Sequence, residues 1–171
     1  TDEYGTSRDE FKGKRIRKIR KNEMYEAAKV YGTDKNGDPL INVIWFGEID
    51  GHLPFNRSVF EKLKAKVEKI APDIVIAPDS FFTMDYHPDH MHTGYLAYIL
   101  VKQMHEKQDK TELGKPRNKP MLLLYHSHKP DFFIKIKEIS IQVDAWAKHR
   151  SQTKPFFNKI LRQLRKVFYF F

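Results

Sequence analysis

The sequence predicts an α/β fold of the Rossmann-like three-layer sandwich type, with a mainly parallel sheet. Segments with apolar residues at helical spacing alternate with short runs of β-branched, aliphatic and aromatic residues. Each short run is separated from the next by a helical segment, which is the order that right-handed crossovers between parallel strands require. We therefore expect helices packed on the faces of a parallel sheet.

The first half of the chain predicts two helices and one strand. Helical spacing begins at Ile16 and continues to Val30, before Gly32, which suits a C-cap. Residues 33–39 have the composition of a turn, and Asn42 to Phe46 predicts a short strand. A second amphipathic helix precedes Pro72, and its apolar face consists of Val59, Phe60, Leu63, Val67 and Ile70.

The second half continues the alternation. The apolar run Ile74 to Ala77 predicts a strand of the buried parallel kind. Gly94 to Met104 predicts a third helix, and Met121 to Tyr125 predicts a third strand. The polar, lysine-rich segment 106–120 between them predicts a surface loop.

Composition and charge exclude several classes of protein. The 171 residues are 40% hydrophobic, so we expect a single domain over residues 1–171. With no cysteine, a disulfide framework and thiolate-bound zinc are excluded. The formal charge of +9 is spread along the chain without a zinc-finger or RNP1-type motif, so we expect no nucleic-acid partner. The sequence shows no signal peptide and no apolar run of transmembrane length, and we expect a cytoplasmic protein without stable membrane insertion.

The tetrapeptide His87-Pro88-Asp89-His90 carries the strongest chemical signal. It follows the predicted strand Ile74 to Ala77 and begins a helical segment, and ligands collect where a strand end meets a helix N-terminus. Pro88 has the fixed φ of a first helical turn, so both imidazoles can lie on one side of that turn. This pattern fits a metal site or an acid/base pair, and it equally fits a capped helix start with surface histidines.

The loops after the three predicted strands add polar residues to the same edge of the sheet. Asp50 follows the first strand, Tyr86 and the histidine motif follow the second, and His126 and His128 follow the third. Because parallel strands end at the same edge, these loops are expected to converge on one crevice.

Five sequence blocks, in order and with fitting spacing, resemble the PIG-L/LmbE-like family of zinc-dependent N-acetylglucosaminyl deacetylases. They are RIRKIRKNEMYEAAKVYG, VIWFGEIDGHL, VFEKLKAKVEKIAPDIVIAP, DYHPDHMHTGYLAYILV and AWAKHRSQT. The resemblance implies a hydrolase in which a metal-activated water removes the acetyl group from an N-acetylated amino sugar. It extends from about Thr1 to Thr153.

One family motif has no counterpart in these residues. In that family the first strand ends in an Ala-His-Pro-Asp-Asp type motif, which supplies two zinc ligands and the general base. The first ten residues resemble the loop that follows the family's second strand, so we expect the sheet to lack its first strand within this chain. We also expect these 171 residues by themselves to bind zinc weakly and to be inactive.

The resemblance implies a role for each residue of the histidine motif. His90 is the expected metal ligand, and the expected metal is zinc, although another divalent metal could take the place of zinc. His87 is expected to stabilise the tetrahedral oxyanion or to protonate the leaving amine. Asp89 is expected to orient the His87 imidazole with its carboxylate. For all three residues, helix capping or packing is the alternative.

Substrate contacts are implied for three further residues. Arg20 and Asp50 occupy positions that bind the sugar in similar enzymes, although Arg20 also fits the polar face of a helix and Asp50-Gly51 an ordinary turn. Tyr86 is expected to face the acyl pocket, unless it serves in packing. The remaining histidines are expected to be surface or supporting groups rather than metal ligands, among them His92, His126, His128 and His149.

Two alternatives belong to other functional classes. The chain could be an inactive fragment or a sugar-binding subunit of such an enzyme, and a homo-oligomer is compatible with either form. Alternatively, the basic amphipathic segment PFFNKILRQLRKVFYFF could bind a membrane surface or a protein partner. The same pattern also occurs in a packed C-terminal helix, which we favour.

Overall fold

The computed structural model describes residues 6, 9–13, 15–108, 119–135 and 137–153. They divide into two compact units, one within Thr1–Asp50 and Ile134–Phe171 and the other within Gly51–Phe133. Most of the predicted loop 106–120 and the basic amphipathic C-terminal segment lie outside the described residues. The prediction of a single domain stays a prediction.

The first unit contains two packed helices. Helix α1 (Ile16–Lys29) and helix α4 (Ile139–Trp146) contact each other, and a 3-10 helix precedes them at Asp9–Phe11. The buried apolar residues of the two α-helices are Ile16, Ala27, Ala28, Val143 and Ala145. The C-cap of α1 is Val30 and not Gly32 as predicted; Gly32 lies two residues further on, with a φ of +130°.

The predicted turn after α1 is also confirmed. The Asp34 carboxylate accepts hydrogen bonds from the amides of Asn36 at 2.8 Å and Asp38 at 3.0 Å. A backbone bridge joins Thr33 to Pro39, and Gly37 has a φ of +81°. An aspartate that caps the amides following it, together with a glycine at positive φ, is a common way to close a turn.

The predicted strand at Asn42 to Phe46 is wrong. In the described part of the chain, residues 42–48 carry no strand pairing. Their sequence has strand propensity, but a strand forms only where a neighbouring strand takes up its backbone donors and acceptors. The described sheet contains only two strands, and neither of them pairs with this segment.

The second unit contains that sheet and two helices. Helix α2 (Arg57–Ile70) is followed by β1 (Ile74–Pro78), α3 (Pro88–Gln108) and β2 (Met121–Tyr125). The strands are parallel, with Ile74 opposite Met121 and Pro78 opposite Tyr125. The α/β class, the parallel sheet and the α-helical crossover are therefore as predicted.

The ends of α2 and α3 follow from local chemistry. The Asn56 side chain accepts the amide of Val59 at 3.0 Å and caps α2, and Ala71 ends it in the left-handed conformation, with Pro72 next. Helix α3 begins at Pro88, so the histidine motif starts a helix as expected; the helix is six residues longer at its start and four at its end than the predicted range Gly94 to Met104.

Burial of β1 differs from the prediction. Helix α3 contacts both strands and buries Leu96 and Leu100, whereas Ile74 and Ile76 remain 49% and 67% exposed. Alternate residues of a strand point to opposite faces, so one face of β1 is left uncovered by the described residues.

Among the described residues, no helix is long and apolar enough to cross a membrane.

Candidate active site

The turn after β1 is fixed by a buried aspartate. The Asp79 carboxylate accepts hydrogen bonds from the amides of Phe81 at 2.7 Å and Phe82 at 3.0 Å. Burial raises the pKa of Asp79, but the hydrogen bonds from the Ser127 hydroxyl and these two amides outweigh it and leave the pKa below its usual value. Asp79 is therefore held as a carboxylate that shapes the turn.

The segments that follow β1 and β2 lie together, as predicted for these two strand ends. The amide of Met84 donates to the His126 carbonyl at 2.7 Å, and the amide of His128 donates to the Phe82 carbonyl at 2.6 Å. His126 has a φ of +61°, which is uncommon for a residue with a side chain. The histidines after β2 therefore belong to the same edge of the sheet as the loop that leads to α3.

The start of α3 lies close against the end of β1. The Ser80 hydroxyl donates to the Met91 carbonyl at 2.6 Å. A Cβ added at Gly94 would overlap the Ser80 side chain and the Pro78 carbonyl. A glycine permits this close approach, which places the first turn of α3 directly beyond the strand.

His87 caps the start of α3. Its carbonyl accepts the amides of His90 at 3.0 Å and Met91 at 3.1 Å, and its Nδ1 accepts the amide of Asp89 at 3.3 Å. An Nδ1 that accepts leaves the proton of the neutral imidazole on Nε2, and we assign this tautomer from the hydrogen bond. The Nε2–H of His87 is then a donor.

The two imidazoles of the motif lie side by side. The ring centroids of His87 and His90 are 4.9 Å apart, with 37° between the ring planes. This confirms that both rings lie on one side of the first helical turn. His87 is partly buried, whereas the side chain of His90 is 49% exposed. Both rings are close enough to act on one small group.

Asp85 is a member of this site that the sequence reasoning missed. Its Oδ2 lies 2.5 Å from His90 Nδ1, and its Oδ1 accepts the His87 amide at 3.1 Å. The hydrogen bond from the His87 amide, followed by that from His90, lowers the pKa of Asp85. An aspartate two residues before His87 in Asp-Tyr-His-Pro-Asp-His was the available signal.

The position of Asp89 differs from the prediction. Its buried carboxylate accepts the amides of Gly51 at 2.8 Å and Leu53 at 2.9 Å, so it fixes a loop instead of the His87 imidazole. A buried carboxylate needs such donors, and these amides supply them. Asp89 contacts His87 only through its own amide, which the first turn of the helix leaves without a helical acceptor.

The other predicted residues fall into two groups. Tyr86 is 74% exposed and precedes His87 in the loop. Arg20 and Asp50 lie in the first unit, where Arg20 Nη1 is 3.3 Å from Asp50 Oδ2 and both side chains are largely buried. The structure therefore pairs Arg20 with Asp50 and, in the second unit, places Tyr86 beside His87, while all these roles remain predictions.

The first unit also contains a cluster that the sequence reasoning missed. Glu23 accepts hydrogen bonds from the amide of Ser151 at 2.8 Å and from its hydroxyl at 2.6 Å, and both residues are buried. Burial lowers the pKa of the nearby His149, as does Arg20, while Glu23 opposes the shift. His149 and Ser151 belong to the AWAKHRSQT block, which thereby gains a structural role.

The side chains in the described ranges do not by themselves form a complete metal site. Within them, no group of three or more His, Cys, Asp or Glu residues is placed to hold a metal ion. His90 nevertheless has the features of a ligand, since its Nδ1 faces a carboxylate and its ring is half exposed. His92 is engaged elsewhere, because its Nδ1 lies 2.6 Å from the Leu53 carbonyl.

Comparison with known proteins defines the class to which this fold and site belong. The profile of the PIG-L family, described as GlcNAc-PI de-N-acetylase, matches residues 1–101. This is more than half of the chain, and the chain belongs to this family. The resemblance seen in the sequence blocks is confirmed.

Two relatives are diacetylchitobiose deacetylases by name. The enzyme of Thermococcus kodakarensis is 28% identical over 153 residues, which cover 86% of this chain and 55% of that protein. The structure of N,N'-diacetylchitobiose deacetylase from Pyrococcus horikoshii, complexed with its inhibitor MPG, has a TM-score of 0.73 and 29% identity. It matches over 95% of this chain and 62% of its own chain. The Rossmann-like α/β fold is thereby confirmed, and the chain spans somewhat more than half the length of each relative.

Proposed function

We propose that the protein is a metal-dependent hydrolase that removes the acetyl group from an N-acetylglucosamine-type sugar or conjugate, with zinc as the metal. The observation that carries the proposal is the pair of adjacent imidazoles at the start of α3, one of which presents a donor nitrogen. Membership of the family and the names of the two relatives support the choice of reaction and of an acetylated amino sugar as substrate.

His90 is the residue that would hold the metal in this proposal. Its Nδ1 faces Asp85, which leaves Nε2 for a ligand. As the resemblance implies, the proposal assigns the other ligands and the general base to a His-Pro-Asp-Asp motif outside these 171 residues. When bound, zinc would lower the pKa of a water towards about 7 and polarise the acetamide carbonyl.

His87 would act on the oxygen of that carbonyl. Its Nε2–H donates to the oxygen as negative charge develops on it, and removal of one such donor typically costs about 3 to 4 kcal/mol. Alternatively, His87 would donate a proton to the leaving nitrogen as the C–N bond breaks, which requires the doubly protonated imidazolium and therefore loss of the hydrogen bond that Nδ1 accepts from the Asp89 amide. The products are acetate and the free amino sugar.

Four further residues are assigned to the positioning of His87 and of the substrate. Asp89 would act in two ways. Its backbone amide donates to His87 Nδ1, and its carboxylate accepts the Gly51 amide and so fixes the loop that begins there. In the proposal, Arg20 and Asp50 bind sugar hydroxyls, and Tyr86 lines the acyl pocket.

Acetate release from N,N'-diacetylchitobiose by the zinc-loaded full-length protein tests this function. His90→Ala should lose most of the bound zinc, whereas His87→Ala should keep zinc while kcat falls about a hundredfold or more. Lys102→Ala, at an exposed position in the second half of α3, is the control and should retain both zinc and activity. Full zinc stoichiometry in His90→Ala would refute the ligand assignment, and chelator-insensitive turnover would refute metal dependence.

A further inference from the structure

We propose that Asp85 is the positioning residue for His90: its carboxylate holds the His90 Nδ1–H and thereby turns the unprotonated Nε2 outward as the metal-binding nitrogen. The choice of ligand rests on the proposed function, whereas the pairing of Asp85 with His90 and the resulting tautomer do not. The sequence predicted an orienting carboxylate at Asp89, and it predicted that this carboxylate orients His87 and not His90.

Asp85 is held firmly enough for such a role. Its amide donates to Thr83 Oγ1 at 2.9 Å, and the Thr83 hydroxyl donates back to the Asp85 carbonyl at 2.8 Å. Thr83 is buried and bridges to Ser127 after β2. Since Asp85 Oδ1 also accepts the His87 amide, the carboxylate is fixed from both sides before it meets His90.

The two imidazoles therefore carry their protons on opposite nitrogens. His87 accepts through Nδ1 from the Asp89 amide and exposes an N–H donor. His90 meets a carboxylate at Nδ1, which accepts only, so Nδ1 carries the proton and Nε2 keeps its lone pair. A metal ion binds the lone pair and an oxyanion binds the N–H, so these two contacts explain why two histidines of one motif have different roles.

Other groups near Asp85 do not replace it. Asp89 is occupied by the amides of Gly51 and Leu53. His126 and Tyr125 lie near enough to interact electrostatically with Asp85. Neither side chain offers the negatively charged oxygen with which a carboxylate accepts a hydrogen bond. Among the described residues, Asp85 is thus the carboxylate that contacts the His90 ring.

The proposal is tested first by NMR on the metal-free protein. The nitrogen-15 shifts and couplings of the two rings report their tautomers at a pH where both rings are neutral. We expect Nδ1–H for His90 and Nε2–H for His87, and Asp85→Asn should shift His90 towards the Nε2–H form. An Nε2–H tautomer at His90 in the unsubstituted protein would overturn the proposal without any variant being needed.

The second measurement is zinc affinity in the full-length protein, by competition with a chelator. Loss of a carboxylate that orients a ligating histidine typically weakens metal binding about 10- to 100-fold, and we expect Asp85→Asn to fall in this range. Asp131→Asn, at an exposed site in the same unit, is the control. Wild-type zinc affinity in a folded Asp85→Asn variant would refute the positioning role while leaving the deacetylase proposal intact. Absence of zinc binding in the wild type would refute the proposed function, and the NMR result would still decide the Asp85–His90 pairing.

Discussion

The two units of the protein hold their polar clusters together in opposite ways. In the second unit, Asp85 contacts residues two and five positions away, His87 and His90. In the first unit, Glu23 contacts Ser151, which is 128 residues away in the sequence. The first kind of contact forms within one loop and helix start, whereas the second joins distant parts of the chain.

The difference in sequence separation is matched by a difference in burial. The side chain of Asp85 is 30% exposed and that of His90 is 49% exposed, whereas Glu23 and Ser151 are buried. Exposed ion pairs add little to stability, whereas buried polar groups cost free energy when they lose their partners. We infer that the local cluster serves to orient functional groups and that the long-range pair serves to stabilise the first unit.

The largest expected effect on stability is that of Glu23→Ala. The substitution leaves the buried amide and hydroxyl of Ser151 without their acceptor, and we expect a loss of about 2 to 4 kcal/mol in the free energy of unfolding. Asp85→Ala should change it by less than about 1 kcal/mol, since the group is partly exposed. Urea denaturation of both variants measures the contrast.

Glu23→Gln serves as the matched control for this comparison. It keeps the shape and one acceptor oxygen, so its loss should lie between those of the wild type and Glu23→Ala. Equal stability losses in Glu23→Ala and Asp85→Ala would show that the two clusters do not divide orientation and stability between them.

The same contrast explains which parts of the fold could be predicted. Helices α1, α2 and α3 and strands β1 and β2 were predicted because their apolar residues recur at short, regular spacing. The strand at Asn42 to Phe46 was predicted from propensity alone and is wrong, because strand formation depends on a partner that a single segment does not reveal. The exposed Ile74 and Ile76 show the same limit, since burial depends on what covers a face.

The candidate site was predictable to a similar degree. The pairing of His87 and His90 followed from their spacing in one helical turn. Asp85 was missed although it is only two residues from His87, because a loop aspartate has no periodicity that indicates its direction. Glu23 was recognised only as a helical position, because nothing in the spacing of residues 16–30 indicates a partner at Ser151.

A smaller effect is expected from Gly94→Ala, which tests how closely the start of α3 packs against the end of β1. Alanine favours a helix by about 1 kcal/mol over glycine, but its Cβ would overlap the Pro78 carbonyl, which is backbone and cannot rotate away. Overpacking of this kind typically costs about 1 to 3 kcal/mol, so the net effect should be destabilising. Lys102→Ala, at an exposed position of α3, is the control and should be close to neutral. A stabilised Gly94→Ala variant would show that α3 can move from β1 without penalty.

The smallest effect is expected in how the free energy of unfolding depends on pH. His149 in the first unit and Asp79 in the second titrate in different pH ranges. Burial keeps the pKa of His149 in the folded protein below the ordinary histidine value of about 6.5, so the unfolded chain binds this proton more readily. The contribution of His149 is therefore complete above about pH 6.5 and is lost as the pH falls through the unfolded pKa towards the folded one. Asp79 in the second unit has a lowered pKa, so its contribution to stability persists until the pH falls below the ordinary aspartate pKa of about 3.9.

Urea midpoints measured between pH 7.5 and 3 should accordingly fall in two stages. His149→Gln should flatten the stage near pH 6 and leave the lower one unchanged, whereas Asp79→Asn should reduce the dependence below about pH 4. Both substitutions keep side chains that form hydrogen bonds, so each removes a titrating proton without leaving an apolar gap. An unchanged slope near pH 6 in His149→Gln would mean that other groups titrate there, and the link between the buried first-unit cluster and stability would then rest on Glu23 and Ser151 alone.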